Sequence, residues 1–414
     1  MKKLFFSFLI TLMSLYGLNL EEAIEELKRN NIDIQLSQTQ IGFAKSEQNR
    51  KEDSRYGKIN TFASYTKYNN ARTLAPITPP ITSTITTSDN LSTLGISYSV
   101  SLFTGFKDKS DIEVSKIHHS LQENIHTLTI NQMIYNTQAI YLDILSLNNS
   151  LKATKSYLKA LQALEDNTKK EYKYGQKSLL DTLKIASDIK NVEAEIIQLQ
   201  TKIYTLKDSL SLLIYGLTKD IEIFEEINYF NIKKDDFKLE DITSIKIANV
   251  NIKKAEQKYI STKSNYYPKV NLNTSYSNTY GNGDDETISM VGINVNWNFY
   301  DFGVSSELVE QAKITQIQSQ LNLNKTKQEI QNKINESKNL ILQNKKLLDS
   351  TKAQFDLSKK TQDIEKLRFD EGQISIDDYL LAISSAEKIN AKKITSLYTL
   401  LKSKYYLEYL TKGK

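Results

Sequence analysis

The sequence contains two copies of one structural unit, and this internal repeat limits the possible folds more than any other feature. When the sequence is aligned with itself at a shift of 211 residues, Tyr56 falls on Tyr267, Lys58 on Lys269 and Tyr65 on Tyr276. At a shift of 197 residues, the pattern Gly-Gln-x-Ser-x-x-Asp-x-Leu occurs at both 175–183 and 372–380. The two shifts differ because the first copy carries 14 extra residues before Gly95. A repeat of this length predicts two tandem copies of one arrangement of helices and strands.

Each copy predicts the order helix, strand, loop, strand, long helix, turn and helix. We expect a signal peptide at 1–17, a first repeat at 18–217, an inter-repeat segment at 218–239 and a second repeat at 240–414. The predicted strands are 59–68, 94–103, 270–278 and 291–300. The predicted long helices are 108–174 and 304–370, and the helices that follow the turns are 178–215 and 375–412.

The second strand of each copy alternates between apolar and small polar residues. Its apolar positions are Leu94, Ile96 and Val100 in the first copy and Ile293, Val295 and Trp297 in the second. Alternation with period two gives a strand one apolar and one polar face. The apolar face would pack into the core of a soluble sandwich, but in a membrane barrel it would face lipid, with small polar residues lining the lumen. Each strand has about the nine residues that a tilted transmembrane strand needs.

The long helices contain almost nothing that would interrupt them. Neither Pro nor Gly occurs at 108–174, so a continuous helix there would extend roughly 100 Å at 1.5 Å per residue. Apolar residues recur every seven positions, at Val114, Leu121 and Leu128 and again at Ile334, Ile341 and Leu348. This spacing predicts coiled-coil packing. Because the apolar seam is thin, the helices suit the wall of a water-filled tube better than a solid bundle.

The first 17 residues have the organisation of a secretory signal peptide. Lys2 and Lys3 precede an apolar run at 4–16, and the small residue Gly17 follows. The run is too short to span a bilayer, and no other window approaches the ~20 apolar residues required. We therefore expect an exported protein without a transmembrane helix, which is periplasmic, secreted or a β-barrel. Four strands cannot close a membrane barrel, so two, three or more copies would have to complete it.

The export signal, the two repeats with paired strands and the motif Tyr-x-x-x-Gln-x-Ser-x-x-Asp-x-Leu resemble the TolC family of outer-membrane efflux and secretion channels. The motif begins at Tyr172, and in the second copy Phe369 takes the place of the tyrosine. The resemblance implies a mixed α+β membrane protein, a homotrimer in which each chain gives four strands to a shared 12-strand barrel. It also implies a long α-helical coiled-coil tunnel in the periplasm, with 218–239 in an equatorial belt around it.

By the same resemblance, the chain is the outer-membrane exit duct of a tripartite efflux or type I secretion system in a Gram-negative bacterium. It would conduct substrates passively, and its partners would be a periplasmic adaptor, an inner-membrane pump and outer-membrane lipid. The cargo could be drugs, metal ions or polypeptides, and the sequence does not distinguish them because the pump selects the cargo. An exported coiled-coil scaffold without channel activity is the alternative.

The turns after the long helices are the candidate periplasmic aperture and adaptor-docking tips. Their residues are Gly175, Gln176, Ser178 and Asp181 in the first repeat and Gly372, Gln373, Ser375, Asp377 and Asp378 in the second. Asp181 and Asp378 face the entrance, as the resemblance implies, or stabilise the positive end of a helix dipole, and the two roles are compatible. The first tip is basic and the second acidic, so we expect ion pairs between tips to keep the resting entrance closed. The candidates for these pairs are Lys173, Lys177, Asp370 and Glu371.

The sequence shows no catalytic constellation, and we expect neither an enzyme nor a bound cofactor. Cys is absent, which excludes disulfides and thiol ligands. His118, His119 and His126 share one predicted helix, where ordinary solvated side chains are a simpler interpretation than a metal site. Basic runs interleaved with aromatic residues do not occur in the sequence, so nucleic-acid binding is not expected despite a net charge of +5.

Overall fold

The computed structural model describes residues 18–77, 85–214 and 237–412. The predicted signal peptide and most of the inter-repeat segment therefore lie outside the described residues. Within the described ranges, the chain forms seven α-helices and one antiparallel sheet of four strands. The expected α+β architecture of two repeats is confirmed.

Equal helix lengths are the clearest structural sign of the repeat. The elements of the first repeat are α1 (Leu20–Asn30), α2 (Ile32–Asp53), β1 (Lys58–Thr73), β2 (Thr87–Phe103), α3 (Lys107–Lys173) and α4 (Leu179–Ile214). Those of the second are α5 (Thr243–Thr262), β3 (Lys269–Gly281), β4 (Asp284–Asn296), α6 (Val304–Asp370) and α7 (Ile376–Thr411). Helices α3 and α6 have 67 residues each, and α4 and α7 have 36 each.

The sheet has the strand order β1-β2-β3-β4, with every neighbouring pair antiparallel. The central pair, β2 and β3, joins the two repeats, and Ile96 lies opposite Tyr276 in it. Strands β1 and β4 are the two edges of the sheet. An edge strand presents a row of backbone N–H and C=O groups that another strand can bind.

The first hairpin is longer than the sequence predicted. Strand β1 extends to Thr73 and β2 begins at Thr87, so both enter the region expected to be a loop. The two extensions pair with each other, since Arg72 lies opposite Ser88. A shift in register after Lys67 lets this second stretch of pairing form, as a bulge does by adding an unpaired residue to one strand.

The predicted bounds of 291–300 for β4 were wrong at both ends. Strand β4 begins at Asp284 because Asn282 and Gly283 form a tight turn, with φ of 52° and 87°. Two positive φ angles are typical of the two-residue hairpin turn that continues a strand pair. The strand ends at Asn296, which pairs with Lys269, the first residue of β3. Pairing stops there because the residue before Lys269 is Pro268, which has no N–H to donate.

The described part of the chain divides into two compact units, of which one comprises the described residues within the ranges 1–36, 126–243 and 327–414. Part of its core is an apolar stripe at helical spacing on α4, formed by Ile185, Ile189, Val192 and Ile196. The stripe packs with Leu161, Phe369 and Ile383. Each fully buried Leu or Ile side chain contributes ~1.5–3 kcal/mol to stability. This cluster fixes the positions of the two helical hairpins that carry the tips.

The other unit comprises residues 37–125 and 244–326 and contains the sheet. In it, the first turns of α3 contact both helices that precede the strands. Lys116 pairs with Glu52 of α2 at 3.9 Å, and the Ser261 hydroxyl of α5 donates to Asp111 at 2.7 Å. Helix α3 therefore lies between α2 and α5 in this unit.

Across the described ranges, every helix is either too short or too polar to cross a membrane.

Candidate functional site

The register of the sheet sorts its side chains onto two faces, because directly opposed residues of an antiparallel pair lie on the same face. Ile96 lies opposite Tyr276, and Leu272 lies opposite both Val100 and Ile293. The apolar face that results contains Ile59, Leu94, Ile96, Tyr98, Val100, Leu272, Tyr276, Val291, Ile293 and Val295. Five of the six residues predicted to face lipid are on this one face, and only Trp297 is not.

The apolar face is not buried by the chain itself. Ile293 and Val295 keep 64% and 65% of their surfaces exposed, and Leu94 keeps 59%. An exposed surface that is largely apolar marks contact with lipid or with another protein. Contact with lipid stays a prediction for these residues.

The opposite face of the sheet consists largely of small neutral polar side chains. Its members include Ser97, Ser99, Ser101, Asn271, Asn273, Ser275, Asn294 and Asn296. Some of them bond to each other across strands, and the Ser101 hydroxyl donates to the Asn271 amide oxygen at 2.9 Å. Phe62 is an exception on this face, and it packs over Gly95, where a Cβ would lie 2.5 Å from the Phe62 ring. The chemistry of this face suits contact with water.

Exposed aromatic residues follow the end of β4. Trp297 and Phe299 contact each other edge to face at 5.3 Å, and Tyr300 contacts Phe302 at 4.8 Å. Trp297 was predicted within the strand, but the Trp297 indole N–H donates to the Tyr266 carbonyl at 3.2 Å. Trp297 also lies beyond Asn296, the last paired residue of β4, so the register assigns Trp297 to neither face. Aromatic residues with one polar end are typical of membrane–water boundaries.

The first tip is a helix end followed at once by a new helix start. Gly175 has φ of 75°, and the Gln176 N–H donates to the Glu171 carbonyl at 2.9 Å. This bond closes α3 in the way that a left-handed glycine permits. Helix α4 then begins with Ser178 and Asp181, whose side chains accept from each other's backbone N–H groups at 3.2 and 3.0 Å. The arrangement is a capping box.

The second tip has the same construction. Gly372 has φ of 72°, and the Gln373 N–H donates to the Arg368 carbonyl at 2.8 Å. Ser375 and Asp378 form the capping box of α7. Hydrogen bonds from the Ser375 hydroxyl and backbone hold the pKa of the Asp378 carboxyl below its usual value, and the charge of Arg368 acts in the same direction. Asp181 and Asp378 thus both stabilise the start of a helix, one of the two roles considered for them.

The two tips contact each other within one chain through side chains that differ from the predicted set. Lys184 of α4 pairs with Asp377 of α7, with 2.5 Å between Nζ and Oδ2. The Lys177 ammonium lies over the Phe369 ring, 4.1 Å from its centre, in a cation–π arrangement. Phe369 is only 6% exposed and stacks on Tyr379 at 5.1 Å.

None of the four predicted candidates forms an ion pair among the residues that the structure describes. Lys177 contacts the Phe369 ring, and Glu371 accepts a hydrogen bond from the neighbouring Gln373 side chain at 2.7 Å. Lys173 and Asp370 lie in the last turns of their helices, whereas the observed pair joins the second turn of α4 to the first turn of α7. Pairs between tips of different chains stay a prediction.

The histidines form no metal site in the described part of the chain, where no group of three or more ligating side chains occurs. The Lys254 ammonium lies 3.3 Å from His118 Nδ1. Burial lowers the pKa of His118, the charge of Lys254 lowers it further, and Glu47 acts in the opposite direction. Burial and the lysine charge therefore both favour the neutral form of His118.

The sequence matches the protein family described as "Outer membrane efflux protein" over two segments, 23–214 and 239–411. Each segment covers one of the two repeats. No curated protein sequence matches the chain.

Several solved structures have the same fold over nearly the whole chain. CusC, described in a study of transmembrane channel formation, has a TM-score of 0.85 and 15% identity, and the match covers 97% of this chain and 96% of CusC. The outer membrane protein VceC of Vibrio cholerae has a TM-score of 0.78 and 15% identity, covering 95% of each chain. The CmeC outer membrane channel of Campylobacter jejuni has a TM-score of 0.80 and 16% identity, covering 95% of this chain and 85% of CmeC.

Proposed function

Because the chain belongs to the outer membrane efflux protein family, we propose that it is the passive exit duct of an efflux or type I secretion system. In this role, three copies enclose one pore, through which substrates leave the cell. Membership of the family confirms the resemblance to TolC-type channels, the outer-membrane location in a Gram-negative bacterium, and the expectation that the chain is not an enzyme.

The observation that carries the proposal is a two-faced sheet with two open edges. One face is apolar and exposed, the other is lined by Ser and Asn, and β1 and β4 have backbone groups available for pairing. Unpaired backbone groups cost several kcal/mol each in lipid. Copies of the chain that join β4 to β1 would remove every edge, put the apolar face against lipid and put the polar face around a water-filled lumen.

The number of copies follows from the resemblance. A bacterial outer-membrane barrel needs at least eight strands, and one chain provides four. Three copies give the 12-strand barrel of the TolC family. The long helices α3 and α6 then form a tunnel on the periplasmic side of this barrel.

The tips are where a periplasmic adaptor and, behind it, an inner-membrane pump would engage the channel. Leu179, Leu180 and Leu183 are all more than half exposed beside the first tip. The second tip instead exposes the carboxylates of Asp370 and Glu371. An adaptor with both apolar and basic side chains at its end would match this combination.

We also assign the closed state of the entrance to contacts between tips. The Lys184–Asp377 pair and the contact of Lys177 with Phe369 hold the two hairpins of one chain together. Equivalent pairs between chains would complete a ring of six hairpins. An adaptor that competes for these side chains would open the entrance.

The alternative, an exported scaffold without channel activity, predicts a monomer that needs no detergent. The uncovered, largely apolar face of the sheet argues against it, because soluble monomers rarely expose large apolar patches.

One preparation tests the proposal. The protein is extracted from outer membranes in detergent, its trimer band is followed with and without boiling, and the same sample is added to a planar lipid bilayer. We expect a heat-modifiable trimer and stepwise increases in conductance. A detergent-independent monomer that gives no conductance would establish the scaffold instead.

A further inference from the structure

We propose that Lys58 and Lys269 form a ring of positive charge around the lumen, and that this lysine ring favours anionic cargo. The inference rests on the trimer and the water-filled lumen of the proposed function. Lys58 is the first residue of β1, and Lys269 is the first residue of β3. Three copies would place two such lysines each at the end of the barrel that is next to the helices. Pores that favour anions use rings of lysine or arginine side chains.

The register of the sheet puts both lysines on its polar face. Lys58 lies opposite Ser99, and Lys269 lies opposite Asn296. Because directly opposed residues lie on the same face, both lysines belong with the Ser and Asn side chains. The residue that follows each lysine in its strand is apolar and lies on the other face. The two ammonium groups would therefore extend into the lumen and not into lipid.

An aromatic side chain fixes the backbone just ahead of each lysine. The Tyr98 hydroxyl donates to the Tyr56 carbonyl at 2.8 Å, two residues before Lys58. The Trp297 indole N–H donates to the Tyr266 carbonyl at 3.2 Å, three residues before Lys269. The two repeats thus use different donors to hold equivalent lysines at the start of a strand.

The charges of the two lysines are not neutralised within the chain. Both side chains are exposed, and neither forms an ion pair with a residue that the structure describes. The carboxylates Asp284 and Glu286 belong to the same face, but they lie opposite Gly281 and Thr279, at the other end of the sheet. Between the lysines and these carboxylates, every described residue of the polar face is neutral.

The separation of the two ends keeps these opposite charges from cancelling. Lys269 and Thr279 are ten positions apart on β3, which corresponds to about 34 Å along the strand. The Debye length at physiological ionic strength is only ~8 Å. Neighbouring lysines of the ring would be two strands apart, a distance of about 10 Å, so their fields overlap. Cargo that carries two or more carboxylate, sulfate or phosphate groups could therefore contact more than one lysine.

Block of the channel by inorganic triphosphate tests the lysine ring. Triphosphate is added at low salt to the side that the β-hairpins face, so that it reaches the barrel before the tips. We expect a block that deepens as the opposite side is made positive, because the field then drives the anion to the ring. Lys58→Gln with Lys269→Gln should raise the half-blocking concentration by about tenfold, because several exposed charge contacts are lost together.

Three sets of variants serve as controls. Lys67→Gln removes a lysine of the same strand, but Lys67 lies opposite Asn90 on the apolar face, so this variant should be blocked like the parent. Lys58→Arg with Lys269→Arg keeps the charge and should also be blocked like the parent. Lys58→Gln alone and Lys269→Gln alone each leave half of the ring, and they should give the same intermediate block because the repeats are equivalent.

The reversal potential in a KCl gradient gives a second readout without any added anion. The double Gln variant should shift towards cation selectivity relative to the parent, and the double Arg variant should not. The shift is the measure, and not the sign in the parent, because the acidic side chains of the second tip lie on the same path.

The outcomes separate this inference from the proposed function. If the parent conducts, but triphosphate blocks the parent and the double Gln variant at the same concentration, the lysine ring is wrong and the function stands. Relief of the block by Lys67→Gln alone would equally overturn it. If the double Gln variant gives no heat-modifiable trimer, the two single variants decide the comparison. A parent protein without conductance would contradict the proposed function first, and this inference with it.

Discussion

Lys184 of α4 forms an ion pair with Asp377 of α7, and this pair joins the tips of the two repeats within one chain. Both side chains remain partly exposed, at 37% and 58%. An exposed pair contributes only ~0–1 kcal/mol, so one pair does not close an entrance. Repeated in three chains, and together with contacts between chains, it would bias the tips towards the closed state.

We predict that Asp377→Lys raises the basal conductance at low salt, because it places two lysines in contact. Adding Lys184→Asp restores the opposite charges and should partly restore closure. Asp363→Lys is the control, since Asp363 forms its ion pair with Lys359 of the same helix, α6. Single-channel recordings in low and high salt measure the effect, which screening should reduce. Equal conductance of Asp377→Lys and the parent at low salt would show that this pair does not close the entrance.

Phe369→Ala should destabilise the tips much more than any charge substitution there. Phe369 is buried, stacks on Tyr379 and lies under Lys177, and removing such a ring costs ~3–5 kcal/mol. Tyr174→Ala is the control, because Tyr174 is 82% exposed and should change stability by less than about 0.5 kcal/mol. Hydrogen exchange of the first turns of α4 and α7 provides the measurement. Equal protection in both variants would contradict the packing described.

Lysine substitutions on neighbouring residues of β4 distinguish the two faces of the sheet. Ile293→Lys should lower the free energy of unfolding by ~2–4 kcal/mol if the residue is near the middle of the bilayer. Asn294→Lys should cost far less, because its side chain would enter the lumen. Urea-dependent unfolding of protein reconstituted in lipid vesicles compares the two. A greater loss for Asn294→Lys would show that the sheet faces the other way.

The stability of the unit that contains the sheet should fall as the pH drops below about 6.5. The folded pKa of His118 is lowered by burial and by Lys254, so in this range the unfolded chain binds more protons than the folded chain. Protonation then favours unfolding. The denaturant midpoint at pH about 7.5 and about 5.5 measures the effect. His118→Gln should reduce the pH dependence, and an unchanged dependence would contradict the role of this residue.

The alternation predicted the faces of the sheet, but it did not give the ends of β4. Alternation assigns Ile293 and Asn294 to opposite faces wherever the strand begins. The bounds depend instead on the Asn282–Gly283 turn and on Pro268, which lies on the partner side. An alternating pattern continues past the last backbone pair and carries no signal of where the partner strand stops.

The contacts between the tips could be predicted only in part from the sequence. Opposite charge on the two tips predicted an ion pair, but the predicted candidates were Lys173, Lys177, Asp370 and Glu371, whereas the observed pair joins Lys184 and Asp377. That choice depends on how α4 and α7 pack, which periodicity in one helix does not reveal. Ile376, Leu380 and Ile383 follow helical spacing on α7, but that spacing does not show that Phe369, at the end of α6, packs with them.

The equal lengths of α3 and α6, and of α4 and α7, restrict how such a gene can change. Inserting two residues in one long helix would move its tip by ~3 Å and rotate it by ~200°. The tips would no longer match, unless the same insertion arose in the other half. The two halves of the chain differ in most side chains, although the lengths of these helices are the same. A difference in length lies instead at the hairpin of the first half, where 14 extra residues occur.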